Sequence, residues 1–174
     1  SMKFLLPLIL MLALRAALFA QGWQAGFAAE PITPTRPMWM SGYAARTGPA
    51  EGKETDLFAK AAVLEPEGVA PLVLVTLDLV GIDRATSQAI CRPILEKYKL
   101  GRERLAINCS HTHCGPVVGG NLRTMYALDA EQAKLVDEYT LGLPKLVMKA
   151  MDAAMKAKQP VKLCKGVGTC GFAV

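Results

Sequence analysis

The sequence predicts an α/β fold of alternating strands and helices, with sheet layers flanked by helices in a domain that is incomplete. Three consecutive segments carry that expectation. Leu72–Leu77 is a short apolar run with almost no polar interruption, the pattern of a strand covered on both faces. Asp83–Lys99 follows with apolar residues at helical spacing, among them Ala85, Ala89, Ile90, Ile94 and Tyr98. Arg104–Cys109 is again strand-like. Strands and helices in alternation indicate an α/β domain.

From the N-terminus, Lys3 precedes the apolar run Phe4–Leu14, Arg15 interrupts it, and small residues follow up to Ala28-Ala29. A basic start, a short apolar stretch and a small-residue cleavage site read as a secretory signal peptide over residues 1–28, with cleavage after Ala28 or, alternatively, after Ala20. The competing reading is a membrane anchor, which Arg15 makes costly. The rest, 29–174, is then exported, to the medium or the periplasm.

Pro31, Pro34 and Pro37 mark the expected entry to the folded part. Residues 44–54 form a polar loop with Gly and Pro. Leu57–Leu64 reads as a strand, and Glu65-Pro66-Glu67-Gly68 as a turn. Pro93 is expected to kink or split the Asp83–Lys99 helix. Ala130–Lys156 is a long helical pattern with an expected break near Gly142-Leu143-Pro144, and Val161–Val174 is strand-like. That last run stops on apolar residues, so the chain reads as truncated.

Composition excludes several classes. With 52% hydrophobic and 20% charged residues, the chain is not disordered. The formal charge is +5, two units of which lie in the leader as Lys3 and Arg15, too little to argue for nucleic acid as a partner. Five cysteines without a C-x-x-C pair argue against a zinc ribbon or a thioredoxin-type site.

The chemistry concentrates in Ser110-His111-Thr112-His113-Cys114-Gly115-Pro116. Both histidines of the chain lie here, directly after a predicted strand. In extended backbone, side chains at i and i+2 share a side, so the two imidazoles can meet one metal ion or one substrate. Strand ends in open α/β sheets are where ligands bind. By itself H-x-H is a weak signal, equally compatible with two hydrogen-bonded loop histidines. Cys114 beside His113 also allows a nucleophile pair, although adjacent residues rarely meet in working geometry. Asp78, at the end of a strand, either orients a histidine or caps the nearby helix.

The segment resembles the THTHSGP motif of the neutral, non-lysosomal ceramidases. Further segments match that family in the same order: Ile32-Thr33-Pro34, Met40-Ser41-Gly42-Tyr43-Ala44, Thr76-Leu77-Asp78-Leu79, and Thr169–Val174, which in the family continues into Asn-Arg. The resemblance covers most of residues 30–174, making 29–174 the N-terminal part of a ceramidase-like catalytic domain.

The resemblance implies Zn2+ as cofactor, with His111 as a ligand and His113 as a catalytic residue beside the substrate. Tyr43 and Arg46 would border the site. The remaining ligands, a histidine, a glutamate and a tyrosine, come later in the family sequence, and this chain has no third histidine. Cys114 departs from the serine that the family often has. The implied reaction is metal-assisted hydrolysis of an amide in a lipid such as ceramide, at a membrane surface, releasing sphingosine and a fatty acid. The rival readings are a two-metal hydrolase and a non-catalytic exported domain that binds lipid or glycan on the same fold.

Overall fold

The computed structural model describes residues 22–171; the apolar run of the expected leader lies outside them. The chain forms a mixed five-stranded sheet with two helices. The strands are β1 (Trp23–Pro31), β2 (Phe58–Pro66), β3 (Leu72–Leu77), β4 (Leu105–Cys109) and β5 (Gln159–Val161), in the order β4-β3-β2-β1-β5. All neighbours are antiparallel except β3 and β4, which run parallel. Helix α1 (Arg84–Tyr98) is the crossover between that parallel pair, and α2 (Ala130–Lys156) returns the chain to β5. The strict alternation that the sequence predicts thus begins only at β3, after a β1-β2-β3 meander.

Period-two burial puts Ala59, Ala61 and Val63 of β2 and Val73, Val75 and Leu77 of β3 on one face. They share a single core with Ile90 and Ile94 of α1 and Leu143, Val147, Met151 and Ala154 of α2. Both helices therefore cover the same side of the sheet. The other side is open among the described residues, with Phe27 65% and Leu74 44% exposed. The expectation that β3 is covered on both faces is corrected accordingly: one helical layer flanks one sheet.

β1 lies where a leader and its cleavage site were expected. All nine of its residues pair with β2, from Trp23↔Pro66 to Pro31↔Phe58. Gly26 faces α2 so closely that a Cβ there would overlap the backbone carbonyl of Ala154. A boundary after Ala28 cuts through this strand, whereas one after Ala20 leaves it whole.

Both prolines lie inside unbroken helices. Proline removes one helical hydrogen bond. In α1 the carbonyl so orphaned belongs to Ala89, which is exposed and can turn to water. In α2, Leu143, Val147, Ala150 and Ala154 keep one buried stripe across the Gly142–Pro144 segment, and that packing outweighs the local cost of about 1 kcal/mol for Gly and about 3 kcal/mol for Pro. The expected C-terminal strand shrinks to β5, which pairs only with Trp23–Ala25 and carries Pro160; residues 162–171 have no regular structure.

Asp83 ties α1 to the glycine loop after the histidines. Its carboxylate accepts the Thr86 N–H at 2.7 Å as N-cap and the Gly120 N–H at 2.6 Å. These bonds, the Thr86 one foremost, hold its pKa below the ordinary carboxylate value. A depressed folded-state pKa stabilises the fold above the unfolded value and loses that contribution as pH falls through the folded one. Asp83→Ala is expected to lower stability by about 1–2 kcal/mol at pH 7, with the gap to wild type narrowing at acid pH, as the pH falls below the ordinary carboxylate value. Urea unfolding at the two pH values checks this, and a gap that does not change with pH refutes the assignment.

Candidate active site

The site forms just beyond the carboxyl ends of β3 and β4. The Ser110 N–H donates to the Leu77 carbonyl at 2.9 Å, prolonging the parallel pairing by one bond. The chain then turns. His111 adopts φ +61°, a left-handed conformation uncommon outside glycine. The premise of an extended H-x-H segment is thereby corrected, yet the two rings do meet: their centroids are 5.0 Å apart at an interplanar angle of 65°.

His111 Nδ1 lies 2.8 Å from the Val80 carbonyl oxygen. A carbonyl only accepts, so Nδ1 carries the hydrogen, and in the neutral ring Nε2 keeps its lone pair. That is the tautomer a metal ligand needs, held by the backbone contact that commonly orients such ligands. His111 is exposed and His113 half-buried.

His113 is clamped by a segment some seventy residues earlier. The Ser41 N–H donates to Gly115 O at 2.7 Å, and the Val117 N–H to Trp39 O at 2.9 Å. Tyr43 meets the His113 ring edge-on, centroids 4.9 Å apart. Arg46 Nη2 donates to His113 O at 2.8 Å, and its guanidinium carbon lies 5.5 Å from the Tyr43 ring centre. Gly42, at φ +110°, lies against His113. The strap is anchored by a second core of Met38, Trp39, Val117, Tyr126, Leu135 and Val136, and by the Trp39 N–H donating to Gln132 Oε1 at 3.2 Å.

The other residues singled out in the sequence have different partners. Asp78 accepts the Phe58 N–H at 3.0 Å and pairs with Lys60 at 3.1 Å. It neither orients a histidine nor caps α1, because the β2–β3 register sets it beside Phe58 and Lys60. Arg123 pairs with Asp137 on α2. All five cysteines are free thiols. Cys114 is exposed without a hydrogen bond to His113, and burial raises the Cys109 pKa.

A cleft of about 760 Å³ runs between loop 45–57 and the histidine turn, lined by Thr112 and Cys114 and by Met40 and Arg46 opposite. The imidazoles themselves lie outside its lining. Among the described residues, no three His, Cys, Asp or Glu side chains come close enough to share a metal ion. The close packing of Gly42 and the Val80 carbonyl are site elements that sequence reasoning missed. A glycine beside a motif tyrosine is a usable signal for the first; a backbone carbonyl leaves none.

No family model matches the chain, and no curated protein does. Solved structures do match. Neutral ceramidase from Pseudomonas aeruginosa superposes with a TM-score of 0.64 at 24% identity, covering 80% of this chain and 22% of that one. A ceramidase complexed with C2 gives 0.61 at 25% identity, with the same coverage. The fold is thus ceramidase-like, and the chain spans about a fifth of the length of the ceramidases it matches.

Proposed function

We propose that this ceramidase-like chain is the N-terminal part of an exported, zinc-dependent hydrolase that cleaves the amide bond of a lipid such as ceramide. The observation that carries the proposal is the imidazole pair, with Nδ1 of His111 tied to Val80 and Nε2 free. The donors present fit part of a zinc site: His111 supplies one ligand, and the others come from polypeptide outside the described residues. Zinc, when bound, supplies Lewis acidity and an acidified water.

The remaining roles belong to the chain itself. His113 stands one ring away from His111, placed to donate a hydrogen bond to the amide oxygen as charge develops, or to move a proton to the leaving amine. Tyr43, 55% exposed, forms a wall beside His113. No helix among the described residues is long and apolar enough to cross a membrane. A lipid amide of this kind resides in membranes, and on this reading the substrate is met at a membrane surface from the exported side.

Zinc content and turnover test the reading. The chain alone is expected to hold zinc below one equivalent and to release no sphingosine from ceramide, since two imidazoles cannot close a tetrahedral site. A polypeptide extended to the length of the matched ceramidases is expected to hold one zinc and to turn over. His111→Ala should remove both properties. Equal zinc in wild type and His111→Ala overturns the ligand assignment. Zinc and ceramide binding without turnover favours the non-catalytic reading.

A further inference from the structure

We infer that Arg46 is the positioning residue of the site: through Tyr43 and the His113 carbonyl it sets where the His113 imidazole stands relative to His111. The inference rests on the proposed roles of the two histidines, but its geometry is independent of any metal. His111 has its own tether, the Val80 carbonyl, whereas the His113 ring has no side-chain hydrogen bond among the described residues. Apart from the His111 ring itself, what meets His113 is Tyr43 and Gly42.

Arg46 joins those contacts. One guanidinium nitrogen donates to the carbonyl of His113, while the guanidinium carbon lies 5.5 Å from the centre of the Tyr43 ring. The Tyr43 ring in turn meets the imidazole in a T-shaped contact. Arg46 forms no ion pair among the described residues, and its Nε is buried without a partner. A half-buried guanidinium costs desolvation, so this one is not a solvated surface charge that merely brushes the loop. Its cation–π contact with Tyr43 and its bond to the carbonyl are the two interactions that offset the cost. The Arg46 N–H to Tyr43 O bond of 3.3 Å closes a local turn that presents both side chains to the histidine segment. Lysine cannot take both contacts with one planar group.

The chain has only two histidines, so selective isotope labelling of histidine yields two assignable imidazoles. In the wild-type chain, an NOE is expected between ring protons of Tyr43 and His113. Arg46→Ala is expected to abolish it and to move the His113 ring resonances toward those of a free histidine. The His111 ring, tied to Val80 but 5.0 Å from His113, shifts less, through the changed ring current of its neighbour. That selectivity separates positioning from a general loss of structure. Should Arg46→Ala fail to fold, Arg46→Gln, which keeps a donor for the carbonyl but has no cation to stack, is expected to show the same selective change. Unchanged His113 resonances in the folded variant overturn the inference, as do shifts of equal size in both imidazoles. Neither result bears on zinc or turnover, so the positioning role and the hydrolase reading fail separately.

Discussion

A chain shortened to begin at Ala29 is expected to lose cooperative unfolding altogether, while one that begins at Gln21 keeps it. The first removes Trp23–Ala28, six of the nine residues of β1. That strand is internal, held by β2 on one side and β5 on the other. Its loss unpairs Ala61–Pro66 of β2, removes the whole partner of β5, and uncovers α2 above Ala25 and Gly26. Each backbone hydrogen bond contributes about 1 kcal/mol net, and an unmade bond at a buried position costs more. The total reaches the 5–15 kcal/mol that typically holds a domain together. Thermal melts by circular dichroism decide the matter. A cooperative transition near the wild-type temperature in the Ala29 form shows that β1 is dispensable.

Gly42→Ala is expected to displace His113 and to destabilise the chain by about 2–4 kcal/mol, the sum of left-handed strain and overpacking. At φ +110°, a Cβ on residue 42 would lie 2.5 Å from His113 Cγ, 2.6 Å from its Cβ and 2.7 Å from its Cα. Because the contacts include the histidine Cα, a rotamer change alone does not relieve them. In a complete hydrolase, displacement of about 1 Å costs on the order of 100-fold in rate. Gly48→Ala is the control, since a Cβ there meets nothing within 4 Å. Urea unfolding and the His113 ring resonances are the readouts. A Gly42→Ala chain with wild-type stability and unshifted imidazoles refutes the packing argument.

The elements that sequence reading located well are those whose pattern is local. β2, β3, β4 and α1 are apolar runs bounded by turn or cap residues, and each falls within a residue or two of its expected position. β1 was concealed because Trp23–Pro31 reads WQAGFAAEP, small residues that also suit a cleavage site and whose strand state comes from nine partners on β2. The continuity of α2 was concealed for the opposite reason, since Gly142 and Pro144 announce a break that the packed stripe overrides.

What the sequence by itself determined is which groups are the candidates for the proposed chemistry: two histidines two positions apart, just past a strand, inside a segment with a ceramidase-like pattern. Tertiary structure decided how they stand. The left-handed turn at His111 is unfavourable for a lone histidine and persists through contacts from afar. Val80 lies 31 residues away and Arg46 lies 67 residues from His113. Such separations leave no local periodicity to read, because side-chain direction in a loop is set by whatever the fold packs against it.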